Sequence, residues 1–336
     1  MRATAPYVCG TALGHLGDLL LGDPRRGHPV AAFGRAAGAA ERALWRDHRA
    51  AGALHTALCV AGAATAAAAL SRAAGALAGG RGTACAGALV TWTVLGGSGL
   101  RREAGAVAAA LEAGDVEAAR GLLPRLCGRD PRTLDADAIA RAVVESVAEN
   151  TSDAVVGALV WGAAAGAPGM AAFRAVNTLD AMVGHRSPRH LRFGWAAARL
   201  DDAAGGPGAR LTAALAALAG PSPLGAVRAW RADARRHPSP NAGPVEAAFA
   251  GALGVRLGGT LSYGGRIEHR PVLNSRGRPV RTADIDRAVR LSRRVGTLAL
   301  AVTTAAGALL RTYRGARRAH RATSAASAGR GGPGEG

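Results

Sequence analysis

The chain has 336 residues, of which 49% are hydrophobic and only 4% aromatic, and carries a formal net charge of +19. All 42 basic residues are arginine, which excludes lysine Schiff bases, lysine nucleophiles and a standard P-loop. The arginines are spread between apolar runs without interleaved aromatics or a recognisable reading module, so no nucleic-acid partner is expected. The planar guanidinium fork suits anionic lipid head groups and small molecules bearing phosphate or carboxylate.

Alanine, glycine, leucine and valine make up most of the apolar half, a composition that lets helix backbones approach closely where lipid removes the hydrophobic drive between them. A high-alanine soluble protein is the alternative. Residues 6–21 form a first apolar run, interrupted by Asp18 and closed by Gly22-Asp23-Pro24, a helix-stop signal. It lacks a small-residue cleavage site and is expected to be retained. Residues 53–70 and 84–100 approach the roughly 20 residues needed to cross a bilayer, and the Gly79-Gly80-Arg81-Gly82 link between them predicts a helical hairpin. If it crosses twice, the polar stretches 25–49 and 101–153 share the cytoplasmic side. Residues 154–173 are uncharged but broken by Pro168-Gly169, and 211–218 are short and followed by Pro221 and Pro223. Each reads either as a broken or re-entrant helix beside a site or as an ordinary packed helix. Residues 295–310, between Arg293, Arg294 and Arg311, form a further candidate span. The expected fold is all-α: a multi-pass helical membrane protein with broken or re-entrant helices and polar helical loops. Residues 1–321 form one membrane-embedded domain, and 322–336 a disordered tail. Cys9, Cys59, Cys85 and Cys127 are widely spaced and are expected to be buried structural thiols.

Four constellations could carry chemistry. Arg141, Glu145, Glu149 and Asp153 recur every four residues in a segment whose cap falls near Asp135, so they share one helical face. Arg141 and Glu145 alone could be a surface ion pair. The stacked carboxylates call for a compensating cation, either magnesium or an arginine cluster. Arg174, Asn177, Asp180, His185 and Arg186 follow the broken apolar segment, where Asn177 could equally be a helix cap. Arg199, Asp201 and Asp202 offer a carboxylate pair for a metal, or a cap for a helix beginning near Arg210. The loop Asp233-Ala234-Arg235-Arg236-His237-Pro238-Ser239-Pro240-Asn241-Ala242-Gly243 is stiffened by two prolines. It presents arginines for phosphate and a histidine suited to proton transfer, or is simply a loop.

Gly22-Asp23-Pro24 with His28-Pro29-Val30, the run Glu145-Ser146-Val147-Ala148-Glu149-Asn150-Thr151-Ser152-Asp153, Val176-Asn177-Thr178-Leu179-Asp180 and the His237 to Gly243 loop resemble the CobD/CbiB family of cobalamin biosynthesis. The order continues through Ala250-Gly251-Ala252-Leu253-Gly254 and Tyr263-Gly264-Gly265, so the resemblance spans residues 15–310. It implies a multi-pass protein of the cell (plasma) membrane that joins aminopropanol, or its phosphate, to the propionate carboxylate of adenosylcobyric acid at the expense of ATP. Magnesium, membrane lipid and other late enzymes of the pathway are the implied partners. On that reading His237, Glu145 and Glu149 are catalytic. Arg174, Asn177, Arg199, Arg235, Arg236, Ser239 and Asn241 bind substrate or ATP, and Glu149, Asp153, Asp180, Asp201 and Asp202 hold metal. Ala154, Gly157-Ala158, His185 and Pro244-Val245 depart from the family pattern and bear on local loop geometry. Two other readings remain: a membrane signalling or regulatory protein similar to AmpE, a distant relative of the family, and a membrane prenyltransferase, for which Asn177-x-x-Asp180 is a poor motif.

Overall fold

In the computed structural model, residues 4–23, 27–263 and 266–328 are described, with backbone alone for 260–268, 318–319 and 322–328. Thr4–Leu21 (α1) and Pro29–Leu44 (α2) precede Arg49–Val94 (α3), Gly97–Glu112 (α4) and Val116–Leu122 (α5). Ala136–Thr151 (α6) passes through a π-turn, Ser152–Val156, into Gly157–Leu179 (α7), and a second π-turn follows at Asp180–Gly184. Trp195–Ala219 (α8), Pro223–Asp233 (α9) and Ala242–Leu253 (α10) lead to a two-stranded antiparallel hairpin, Leu257–Tyr263 (β1) and Arg266–Leu273 (β2). The helix Ala283–Ala328 (α11) closes the described chain.

The runs Arg49–Glu112, Ala136–Gly184 and Ala283–Arg317 are long and apolar enough to cross a membrane. In the first, only 17% of the most apolar stretch is buried, the inverse of a soluble core and the arrangement expected when lipid is the solvent. The protein is thus an all-α membrane protein with one small β-hairpin.

Two of these runs reverse direction midway. In α3 the backbone leaves helical values at Ala78 and Gly79, where Gly79 adopts φ 57°. The chain doubles back so tightly that a β-carbon on Gly82 would lie 1.8 Å from the Ala74 carbonyl oxygen. The predicted hairpin is therefore present. In α7 the reversal sits at Gly166, with φ 70°, two residues ahead of Pro168. The reason is conformational: a positive φ is accessible to glycine, whereas proline is confined to negative φ and starts the returning arm. Across this second hairpin a β-carbon on Gly157 would meet the Phe173 ring, and one on Gly162 the Met170 side chain. The arm from Thr151 to Gly166 covers roughly 22 Å, short of the ~30 Å hydrocarbon core, as in a re-entrant hairpin.

These reversals define two ends of the bundle. At the far end, Gly80 faces Pro6, and Arg311 of α11 lies over the Tyr7 ring at 3.6 Å and beside Gly166. Arg311 also donates to the carbonyls of Gly162, Ala163 and Gly307, and Arg314 to that of Ala164, capping the arm that ends at Gly166. At the opposite end, Asp18 accepts from the backbone N–H and hydroxyl of Ser98, and the Trp92 indole donates to Gly22. Val107, Ile139, Val143, Val147, Phe249, Ile285 and Val295 are buried there between α4, α6, α10 and α11.

Several expectations are corrected. No helix begins near Arg210: α8 runs unbroken from Trp195 through Gly205-Gly206-Pro207-Gly208, so Asp201 and Asp202 lie inside it and cap nothing. Its glycines serve close approach, because a β-carbon on Gly208 would stand 2.8 Å from the Gly157 α-carbon. Residues 211–218 accordingly form the end of this ordinary packed helix. Cys9 and Cys85 are exposed, with Cys59 and Cys127 partly so. A thiol is a small apolar group, and helix faces that lie among lipid need not bury it. The β-hairpin was not foreseen in the polar 228–294 stretch. Helix α11 continues to Ala328, inside the segment expected as a disordered tail; residues 329–336, like Pro24, Gly264 and Gly265, lie outside the described residues.

Candidate active site

Helix α6 begins where expected, with the Asp135 carboxylate accepting from the Ala138 N–H, and its 3.6-residue repeat places Glu145, Glu149 and Asp153 in one row. Buried Glu145 pairs with Arg129, in place of the anticipated Arg141, and accepts from the Gly258 backbone N–H at 2.6 Å. Arg141 instead lies beside Gly259 of β1. Glu149 is encircled by protein yet keeps accessible surface, so it lines a solvent-reachable recess, facing Arg270, Arg129, Glu145 and Asp180. Asp153 occupies the first π-turn, within electrostatic reach of Glu149, Asp201, Arg174 and Asp180. π-Turns re-aim side chains and recur at functional sites; here both of them carry an aspartate of the cluster.

The second π-turn presents Asp180, which faces His185 and Asp202. Arg174, one and two turns earlier than Asn177 and Asp180, is directed to Asp23 and Asp153 instead. Asn177 is interior to α7 and caps nothing; its amide reaches Asp201. Burial first, and then the neighbouring Asp180 carboxylate, push the Asp201 carboxyl up to about 7. Arg199 is exposed and forms a surface pair with Asp202 at 3.5 Å.

The proline-stiffened loop folds against this cluster. His237 is buried, and its Nδ1 lies against the Ser239 backbone, 3.1 Å from the N–H and 3.3 Å from the carbonyl oxygen. Nε2 has no hydrogen-bond partner and faces Glu246 Oε1 at 3.7 Å. Burial, and then Arg270, lower the histidine pKa, while burial followed by Glu145 and Glu149 raises that of Glu246 well above the usual carboxylate range. Glu145 and His237 therefore belong to the same end of the molecule and to one electrostatic cluster.

Ser239 and Asn241 are used differently from the expectation. The Ser239 hydroxyl accepts from the N–H groups of Asn241 and Ala242 at the start of α10. Asn241 clamps the loop to α8, donating to the Asp201 and Asp202 carbonyls and accepting from Arg210 at 2.9 Å. Arg236 pairs with Asp233 at 3.1 Å, and Arg235 opens onto a cleft of about 600 Å³ lined also by Arg210, Arg231 and His237. That cleft is basic and suits a polyanion. A smaller cleft of about 240 Å³ lies on the Arg174 side, among Asp23, His28, Arg102, Arg125 and Asn150.

Arg129, Arg270 and Glu246 were not singled out in the sequence. Each stands alone without a spacing partner, and only the fold brings them to the carboxylate row. Among the described residues no three His, Cys, Asp or Glu side chains converge as a ready-made metal cage.

The model of the CobD/Cbib protein family matches residues 11–292. A cobalamin biosynthesis protein CobD of Mycobacterium tuberculosis is 54% identical over 299 residues, covering 87% of this chain and 94% of that protein. Proteins of the same name from Rhodobacter capsulatus (82% of this chain, 90% of that one) and Chromobacterium violaceum (87% and 94%) are each 43% identical. No solved structure matches the chain. With the family model covering most of its length and relatives of this identity along nearly all of theirs, the chain belongs to the CobD/CbiB family.

Proposed function

We propose that the protein is the amide synthase of cobalamin assembly, joining (R)-1-aminopropan-2-ol or its O-phosphate to the propionate carboxylate of adenosylcobyric acid with ATP. The observation that carries this reading is the meeting, at one end of the bundle, of a buried carboxylate row with a basic cleft and a histidine whose Nε2 is unpaired. The family membership and the relatives' names point to the same pathway.

The donor chemistry fits Mg-ATP. Carboxylate oxygens are the hard ligands magnesium takes, and it keeps most of its shell as water and phosphate oxygens, so one or two carboxylates suffice without a closed cage. Asp153 with Asp180 or Asp201 would hold the ion near Glu149, and Arg210, Arg231 and Arg235 would grip the phosphates in the larger cleft. When bound, Mg-ATP supplies the phosphoryl group that turns the propionate carboxylate into a leaving-group-bearing acyl phosphate, with ADP released. The amine then forms the C–N bond as inorganic phosphate departs. With its Nδ1–H on the Ser239 carbonyl, His237, neutral because burial lowers its pKa, would take the ammonium proton at Nε2.

Orientation follows from charge. The end carrying the cluster holds Arg35, Arg42, Arg46, Arg49, Arg101, Arg102, Arg120 and Arg125, whereas the far end holds fewer, Arg72, Arg81, Arg311, Arg314 and Arg317. By the positive-inside rule the site faces the cytoplasm, where ATP is available, from a plasma-membrane scaffold. Incubating membranes bearing the protein with adenosylcobyric acid, aminopropanol phosphate and Mg-ATP should yield the amide, read by mass. Its absence under conditions in which ATP and both substrates remain intact would overturn the assignment.

A further inference from the structure

The smaller cleft differs from the larger one in a way that selects a ligand. Among its lining side chains the 600 Å³ cleft has arginines and His237 but no carboxylate. The 240 Å³ cleft mixes both signs and falls below the usual range of drug-sized pockets. Asp23 is admitted to it by Gly99, since a β-carbon there would stand 2.1 Å from Asp23 Oδ2. Its Oδ1 is buried without a hydrogen-bond partner, and the Nε of Arg174 is in the same condition. Unmet buried polar atoms of opposite charge on one wall are costly unless a ligand completes them. Beside Asp23, Glu103 touches Arg102 at 3.2 Å and Arg125 at 3.4 Å through single contacts, and the two guanidinium side chains remain 59% and 62% exposed. His28 Nδ1 accepts from the Val30 N–H, so Nε2 carries the donor proton of the neutral ring.

We propose that this cleft is the subsite for a small aminoalkyl phosphate, with the ammonium on Asp23 and the phosphate on Arg102 and Arg125, aided by Arg174 and His28. The assignment rests on the synthase reading and deepens it: it makes the phosphorylated amine the preferred partner of this chain and gives it a seat separate from the polyphosphate cleft. Arg174 lies between Asp23 and Asp153, so an amine held there adjoins the carboxylate row. The same chemistry, an amine linked to a phosphate, also occurs in the head group of phosphatidylethanolamine, whose source is the bilayer.

The test is calorimetric binding of (R)-1-aminopropan-2-ol O-phosphate to the full chain in nanodiscs, without ATP. Arg125→Ala, at an exposed surface position, and Asp23→Asn should each weaken binding by about tenfold or more, the usual worth of a charge-assisted hydrogen bond. Unphosphorylated aminopropanol should bind more weakly, lose affinity in Asp23→Asn and be indifferent to Arg125→Ala. Unchanged binding in both folded variants overturns the proposal. Nanodiscs with and without phosphatidylethanolamine separate the sources: loss of binding only where that lipid is present makes the head group the occupant and overturns the free-substrate assignment. If the unaltered protein makes the amide while both variants bind normally, the subsite falls and the synthase reading stands. If it makes no amide but binds with this pattern, the reverse holds.

Discussion

The two ends of the bundle use the same residue, arginine, to opposite effect. At the far end, among the described residues, Arg311 and Arg314 have no acidic partner; they satisfy the carbonyls where a helical arm stops, and Arg311 packs on Tyr7. At the site end Arg129, Arg174 and Arg270 stand among carboxylates that outnumber them. The first arrangement closes a fold. The second gathers more carboxyl groups than arginines, an imbalance that a bound cation would compensate.

Substitutions at each end test that contrast. The largest effect is expected for Asp153→Asn, which should lower the synthesis rate by about a hundredfold or more while membrane insertion and thermal stability stay near normal. Near-normal rates at saturating magnesium would remove Asp153 from the cation. Next comes Gly208→Leu, which forces side-chain atoms toward the Gly157 α-carbon and must open the α7–α8 seam. It should cost about 1–3 kcal/mol, seen as earlier unfolding in detergent, and lower activity with it. Arg311→Ala should cost about 1–2 kcal/mol of stability and leave the turnover of the folded fraction unchanged. A selective loss of turnover would mean the far end communicates with the site.

The smallest effect is a pH dependence. Without a cation Asp201 ionises only as pH rises through about 7, so a cation there competes with a proton: at limiting magnesium, activity should climb across that range, and Asp201→Asn should abolish the climb. Stability runs the other way. Between the ordinary 3.8 and about 7 the folded carboxyl keeps a proton that the unfolded chain has lost, so stability declines as pH rises across that window. Thermal unfolding in detergent from pH 5 to pH 8 checks the sign.

Much of this was readable before any fold was at hand. Four-residue spacing set Glu145, Glu149 and Asp153 on one face, and Gly79 and Pro168 marked the two reversals to within a few residues. The β-hairpin carried its own signal, two strand-length segments around Gly264-Gly265, but it lay within an arginine-rich stretch that reads as loop. Glycine in α8 misled for a related reason. Composition records the missing side chain, whereas the use of that absence, admitting Gly157 against Gly208 and Asn241 against Gly205, exists only between helices. Arg129 and Arg270 reach the site from segments distant in the chain, where no local pattern marks them. Ser239 and Asn241, singled out as binding residues, have polar atoms engaged in positioning α10 and α8.

The reversal at Gly166 also bears on how the protein is made. A helical hairpin can enter the bilayer as one piece, and between Ala154 and Phe173 it carries no ionisable group. Asp153 and Asp180, at its open end, therefore remain on the side of synthesis, and the translocation machinery is spared the ~2.5–3.5 kcal/mol that each charge costs at mid-membrane. The two aspartates are thus delivered to one side together, because only the uncharged corner has to travel.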